Sequence, residues 1–303
     1  EAPILPILYE FPPGIDWRDT SQWWMVTPNR GKSITVERLI PDYEQAQASG
    51  EEELRRWASQ HLNVEIGLAL MSDRWAGADF WQAQGEQGLT LERIIERSDV
   101  LAVGIDGGGL DDLLGLCVMG RDAATQHWLV WTKAWAHPLA LERRKSEVSR
   151  FTDFAEDGDL TLVKQIGDDV TDVAEIVAEI EVAGLLDQVG VDPSGLGGII
   201  EALHAAGVPP EKIIGISQGW KMTGAIKTAE RKLAEGVLVH GGQRLMNWCV
   251  GNAKVEPRGN AVIITKQAAG FAKIDPLMAM FNAVTLMSLN PTTNNITQGF
   301  VEL

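Results

Sequence analysis

The stretch Val100-Leu101-Ala102-Val103-Gly104-Ile105-Asp106-Gly107-Gly108-Gly109 decides the fold. A run this apolar and rich in branched side chains, closed by glycines, predicts a buried strand, Val100–Asp106, that ends in a turn. Its one charged side chain, Asp106, stands at the strand end beside flexible backbone, a good place for a ligand. Asp112–Met119 then reads as the returning strand of a hairpin. That pairing sets Asp112 opposite Asp106, with Cβ atoms about 5 Å apart. Two acids so placed repel unless a cation lies between them.

Working outward, His127–Trp135 reads as a third strand, and residues 139–150 as a helix. Strand 160–166, helix 171–184, strand 187–192, helix 196–206, strand 212–217 and helix 221–235 follow. A strand-rich segment, 252–265, precedes a last helix, 276–289. Three antiparallel strands followed by alternating units predict an α/β fold, a mixed sheet flanked by helices, over residues 99–303. Residues 1–98 read as a smaller, loop-rich and mostly helical region, with helices over 36–48, 50–61 and 91–97.

Composition limits the chemistry. With 45% hydrophobic and 22% charged residues in 303, the chain reads as a soluble globular protein. No apolar run reaches the roughly 18 residues of a membrane span. Residues 1–12 lack the basic start and small-residue cleavage site of a signal peptide. Cys117 and Cys249 are isolated, which points to a reducing compartment and away from a structural zinc site. The net charge of −16 opposes contact with phosphates, but residues 213–274 hold nine Lys and Arg against Glu230, Glu235 and Glu256. Within that excess Lys221, Lys227, Arg231, Lys254 and Lys266, with Gln218, are the candidate contacts to a phosphate backbone. The same charges also suit solvated helix faces.

Two further acids resemble Asp106 in their setting. Asp192 ends the strand Gln188-Val189-Gly190-Val191, and in open α/β sheets sites collect at the carboxyl ends of strands. Asp275, in Lys273-Ile274-Asp275-Pro276, opens the last helix, where alone it reads as an N-cap. Asp106 and Asp192 alone could stabilise turns. Together the acids suit phosphodiester hydrolysis, in which a hard cation held by carboxylates activates water and stabilises the leaving oxygen.

Ala102-Val103-Gly104-Ile105-Asp106 with Asp112, Val189-Gly190-Val191-Asp192, Ile216-Ser217-Gln218-Gly219 before a basic helix, and Lys273-Ile274-Asp275 resemble the nuclease domain of phage large terminases. Order and spacing agree over about residues 99–290. The resemblance implies a ribonuclease-H-like fold and Mg²⁺ or Mn²⁺, two ions, held by Asp106, Asp192 and Asp275 with Asp112 as an auxiliary acid. It implies a metal-dependent endonuclease that cuts concatemeric double-stranded DNA during packaging in the host cytoplasm, with a portal protein and a small terminase subunit as partners. Residues 1–98 would then be the end of an ATPase part and its linker. Arg30-Gly31-Lys32-Ser33 imitates the end of a P-loop, but Val26 stands where that motif demands glycine.

Three other readings stand beside this one. Gly215-Ile216-Ser217-Gln218-Gly219 fits the G-x-S-x-G turn of a serine hydrolase, for which His240 is the only later histidine. Gly195-Leu196-Gly197-Gly198 falls short of the dinucleotide pattern G-x-G-x-x-G. A non-catalytic module that docks DNA or portal is the third. The eleven tryptophans read as core rather than as platforms for bases.

Overall fold

The computed structural model describes residues 7–12, 14–64, 74–143, 147–193, 197–259, 261–266 and 272–292. The chain divides into two compact units, Glu1–Ser72 and Asp73–Leu303. In the first, a 3-10 turn (Thr20–Met25), whose Ser21 amide is met by the Asp19 carboxylate, precedes α1 (Val36–Ala48) and α2 (Glu51–Leu62). Its core is aromatic: the Trp23 ring lies 5.3 Å from Tyr43 and 5.2 Å from Trp57. The Trp23 indole nitrogen donates to the Trp17 carbonyl at 2.8 Å, so its polar edge is satisfied. The P-loop look-alike follows this 3-10 turn rather than a strand, and Gly31 N bonds back to Ile34 O. The strand-to-helix scaffold of a phosphate loop is missing there.

The sequence predicts a boundary at 98/99, whereas the compact units part at 72/73. Residues 74–98 pack into the second unit because Trp75 and Trp81 are buried in the core of its sheet. Hydrophobic periodicity marks such residues as buried but does not say in which core. This segment forms α3 (Ala78–Trp81) and α4 (Leu91–Arg97), the latter capped by Thr90.

Then come β1 (Ser98–Gly107), β2 (Leu113–Asp122), β3 (Trp128–Ala136), α5 (Pro138–Arg143), α6 (Val148–Glu156), β4 (Leu160–Leu162), α7 (Asp168–Val182) and β5 (Leu186–Val191). They are followed by α8 (Gly197–Ala205), β6 (Ile213–Gly215), α9 (Thr223–Ala234), β7 (Leu238–His240), α10 (Arg244–Asn252), β8 (Ala253–Arg258), β9 (Ala261–Lys266) and α11 (Asp275–Met287). Seven strands form one mixed sheet in the order β4-β3-β2-β1-β5-β6, with β7 also on β3. β1, β2 and β3 are antiparallel neighbours, and the remaining pairings are parallel. The expected mixed sheet flanked by helices is therefore present. α4, α7 and α8 cover one face, and α6 with α9, α10 and α11 the other.

Some elements differ from expectation. The predicted helix 139–150 is two helices, α5 and α6. β7 is too short for any periodic signal. The strand-rich segment 252–265 is a separate two-stranded sheet, β8-β9, outside the main sheet.

α11 is buried at all but Met278 and Thr285, as a helix that is mostly apolar around its circumference must be. It lies directly on the sheet because three strands offer it glycines. A Cβ on Gly104 would fall 1.9 Å from Ala279 O, and one on Gly115 2.6 Å from the Asp275 carbonyl carbon. On Gly190 it would stand 3.2 Å from Leu286 Cδ1 and 3.4 Å from Asn282 O, both on α11. Contact this close fixes where the helix begins, and its first residue is Asp275.

Candidate metal centre

The parallel ladder between β1 and β5 ends at the pair Ile105 and Val191. Asp106 and Asp192 are the next residues of adjoining strands, which lie about 4.8 Å apart. On the other side of β1, Asp106 is paired with Gly115, the glycine on which Asp275 rests. The Asp275 Oδ1 atom lies 3.2 Å from where a Cβ on Gly107 would be. Sheet register and helix seating thus bring Asp106, Asp192 and Asp275 to one end of the sheet. Asp275 is the first helical residue, with Ile274 at the N-cap position, so its carboxylate is not the helix cap.

Asp112 is not opposite Asp106. β2 begins one residue later, at Leu113, because Gly107 and Gly108 take positive φ and Gly108 N bonds to Leu113 O at 3.2 Å. Asp112 lies in the turn, where its Oδ1 accepts from Leu113 N at 3.1 Å. Its carboxylate is ion-paired with the fully buried Lys273, and Lys266 Nζ stands 3.6 Å away. The sequence places Lys273 in the basic stretch 213–274 and next to the Asp275 motif, with no sign of this pairing. Lys273 Nζ also donates to Asp111 O at 3.2 Å, and its own carbonyl accepts from Asn252 Nδ2 at 2.9 Å.

Electrostatics tie the acids together. Burial pushes the Asp106 carboxyl well above its ordinary range, and Asp275, Asp192 and Asp112 push it further, against the opposing charge of Lys266. Burial, with Asp112, lifts Asp275 to about 7, opposed by Lys273. At Asp112 burial is outweighed by the hydrogen bond and charge of Lys273 and by Lys266, so its pKa falls. Among the described residues no group of three acid, histidine or cysteine side chains is close enough together to hold a metal ion as it stands. The donor set nevertheless fits a hard divalent cation. It is all oxygen, with Asp275 buried and Asp106, Asp112 and Asp192 partly so, and its acids repel one another, which a bound cation would relieve.

Asp106 also accepts from Gln218 Nε2 at 3.4 Å, and that amide donates to Asn282 Oδ1 at 3.2 Å. Gln218, expected as a DNA contact, is therefore held against the acid cluster. Asn282 escaped the sequence reading. The available signal was a polar residue seven after Asp275, on the same face of an otherwise apolar helix.

The candidate DNA contacts are dispersed. Lys227 and Arg231 pair along α9 with Glu230 and Glu235, both at 2.7 Å, so part of their charge is already balanced. Lys254 lies on β8 and Lys266 ends β9 beside Asp112. Lys221 lies with its Nζ 5.9 Å from the ring centroid of Trp220. Trp220 is 61% exposed, against the expectation of core, whereas Trp23, Trp75, Trp81 and Trp135 are fully buried.

The serine-hydrolase reading fails on its base. His240 is buried and stacked on Trp81 at 3.8 Å. Its Nδ1 accepts from Gly242 N at 3.0 Å, which makes Nε2 the donor to Trp81 O at 2.7 Å. Neither ring nitrogen is available to Ser217. Of the glycine-rich segment after Pro193, residues 194–196 lie outside the described residues.

The mixed sheet, with carboxylates at its central strand ends, has the ribonuclease-H-like fold expected from the sequence. It belongs to the terminase large subunit endonuclease-domain family, whose model matches residues 6–290. Protein YmfN of Escherichia coli (strain K12) is 26% identical over 300 residues, covering 93% of this chain and 62% of that protein. The terminase large subunit of Lactococcus phage p2 is 23% identical over 275 residues, covering 89% and 48% respectively. The crystal structure of the HK97 bacteriophage large terminase has the same fold, with a TM-score of 0.58 at 21% identity over 92% of this chain and 56% of that one. The chain thus spans about half to three-fifths of the length of these relatives. No described helix is long and apolar enough to cross a membrane.

The raised pKa of Asp275 gives a testable pH dependence. A carboxyl whose folded value exceeds its unfolded one lends stability that is complete below the unfolded pKa, about 4, and lost as pH rises through about 7. The stability of the metal-free chain relative to Asp275→Asn is expected to fall as pH rises from 5 to 7, by on the order of 1 kcal/mol per pH unit. Urea melts of the two proteins measure this difference, and Mn²⁺ is expected to flatten it. A difference independent of pH would show that Asp275 is already ionised at pH 5.

Proposed function

We propose that this chain carries the DNA-cutting step of a phage packaging motor, as a divalent-metal-dependent endonuclease of low sequence specificity acting on concatemeric duplex DNA. The observation that carries this reading is the convergence of Asp106, Asp192 and Asp275 at one end of the sheet, in a family named for its endonuclease domain. These three residues would hold Mg²⁺ or Mn²⁺, two ions when fully loaded, with Asp112 joining them on release from Lys273. When bound, the metal would activate the attacking water and stabilise the leaving oxygen. The chain's own groups hold the carboxylates in place. Gln218 holds one Asp106 oxygen, the seating of α11 fixes Asp275, and Lys273 keeps Asp112 ionised. Lys221, Lys254 and Lys266 would meet backbone phosphates, with smaller contributions from Lys227 and Arg231.

The unit before the sheet would join this domain to a packaging ATPase. A portal protein and a small terminase subunit are the proposed partners, and the host cytoplasm the proposed setting.

The test is conversion of supercoiled plasmid to nicked and linear forms by the purified chain in Mn²⁺. Cleavage is expected with the metal and none in EDTA; equal cleavage in both would overturn the proposal. Ser217→Ala is expected to cut within about twofold of the parent rate. A larger loss in that variant, together with esterase activity in the parent, would restore the hydrolase reading.

A further inference from the structure

The fully buried Asn282 makes hydrogen bonds whose direction is fixed by chemistry. Its Nδ2 lies 2.8 Å from Ile105 O, a main-chain carbonyl that can only accept. The amide group must therefore face Ile105, and Asn282 Oδ1 must face Gln218. Against that acceptor, 3.2 Å away, Gln218 has to present its own NH2 group, whose second hydrogen is directed at Asp106 Oδ1, 3.4 Å away. The polarity runs without ambiguity from a strand carbonyl, through two amides, to the carboxylate one residue beyond that carbonyl.

We propose that Asn282 and Gln218 form a polarity relay that positions Asp106, reserving Oδ1 for Gln218 and leaving Oδ2 for the metal. Both are positioning residues. The relay rests on the metal-nuclease reading and deepens it, because it assigns the ligand atom and the groups that select it. The arrangement also couples the parts of the site. Asn282 sits on α11, the helix that opens with Asp275, so a shift of that helix reaches Asp106 as well. Buried polar groups are costly unless they are partnered. In this chain both partners of Asn282 lead to one carboxylate.

The experiment is calorimetric titration of Mn²⁺ into the full chain and into Gln218→Ala, Asn282→Leu and the double variant, alongside plasmid cleavage as a function of Mn²⁺ concentration. Partners that orient a metal ligand typically contribute 10- to 100-fold in metal affinity. Each single variant is expected to weaken Mn²⁺ binding by about tenfold and to move the Mn²⁺ midpoint of cleavage more than the rate at saturating metal. Since both act through one chain of bonds, the double variant is expected to lie within about twofold of the weaker single variant. Gln218→Ala, at a partly exposed position, keeps the test valid if Asn282→Leu fails to fold. Variants that bind Mn²⁺ like the parent, or losses that multiply in the double variant, would overturn the relay while leaving the nuclease reading in place. A parent chain that neither binds Mn²⁺ nor cuts plasmid overturns the functional reading itself.

Discussion

Asp106→Asn is expected to lower Mn²⁺-dependent plasmid cleavage by a factor on the order of 10³ and to abolish the rise in melting temperature that Mn²⁺ gives the parent. A metal ion contributes several kcal/mol of transition-state stabilisation, and each 1.4 kcal/mol is about tenfold in rate. Asp106 is central because it adjoins Asp192 across the strand gap and faces Asp275 over Gly115. The same substitution has a second, opposite effect. Without metal, Asp106 is a buried acid flanked by three others, so a neutral amide there removes repulsion. The metal-free variant is expected to melt at or above the temperature of the metal-free parent. An inactive variant that also unfolds early would mean that Asp106 serves the fold, and cleavage that persists would remove it from the site.

The second large effect concerns the helix that supplies Asp275. In Gly104→Ala the added carbon would fall 1.9 Å from Ala279 O and 2.7 Å from Ala283 N. Both neighbours are main-chain atoms of a buried helix, so no side chain can swing aside. Overpacking of this kind costs roughly 3 kcal/mol. For a chain of this size the corresponding fall in melting temperature is about 6–12 °C. Mn²⁺ affinity is expected to fall with it, because a helix lifted from β1 carries Asp275 away from Asp106. Gly224→Ala, within α9 and with nothing near its Cβ position, is the control. It is expected to be neutral or to stabilise by up to about 1 kcal/mol. Equal melting temperatures for the two variants would show that α11 does not rest on Gly104.

The sequence by itself determined the sheet's central hairpin, the alternating units after it and the acids at the strand ends. Those features follow from local patterns: apolar runs, glycine turns and carboxylates next to them. It also showed that Lys273 and Asp275 lie at the start of one apolar helix. Tertiary structure decided what each polar residue does. The glycines at 104, 115 and 190 belong to three different strands, so only the folded sheet shows that they form one seat for a helix. A register in which Gly115 rather than Asp112 stands opposite Asp106 leaves Asp112 in the turn, ion-paired with Lys273. Gln218 and Asn282 are 64 residues apart and meet only because the segment after β6 and the interior of α11 both pack against the end of β1. Spacing along the chain carries local structure, whereas hydrogen-bond direction and burial exist only once distant segments have packed.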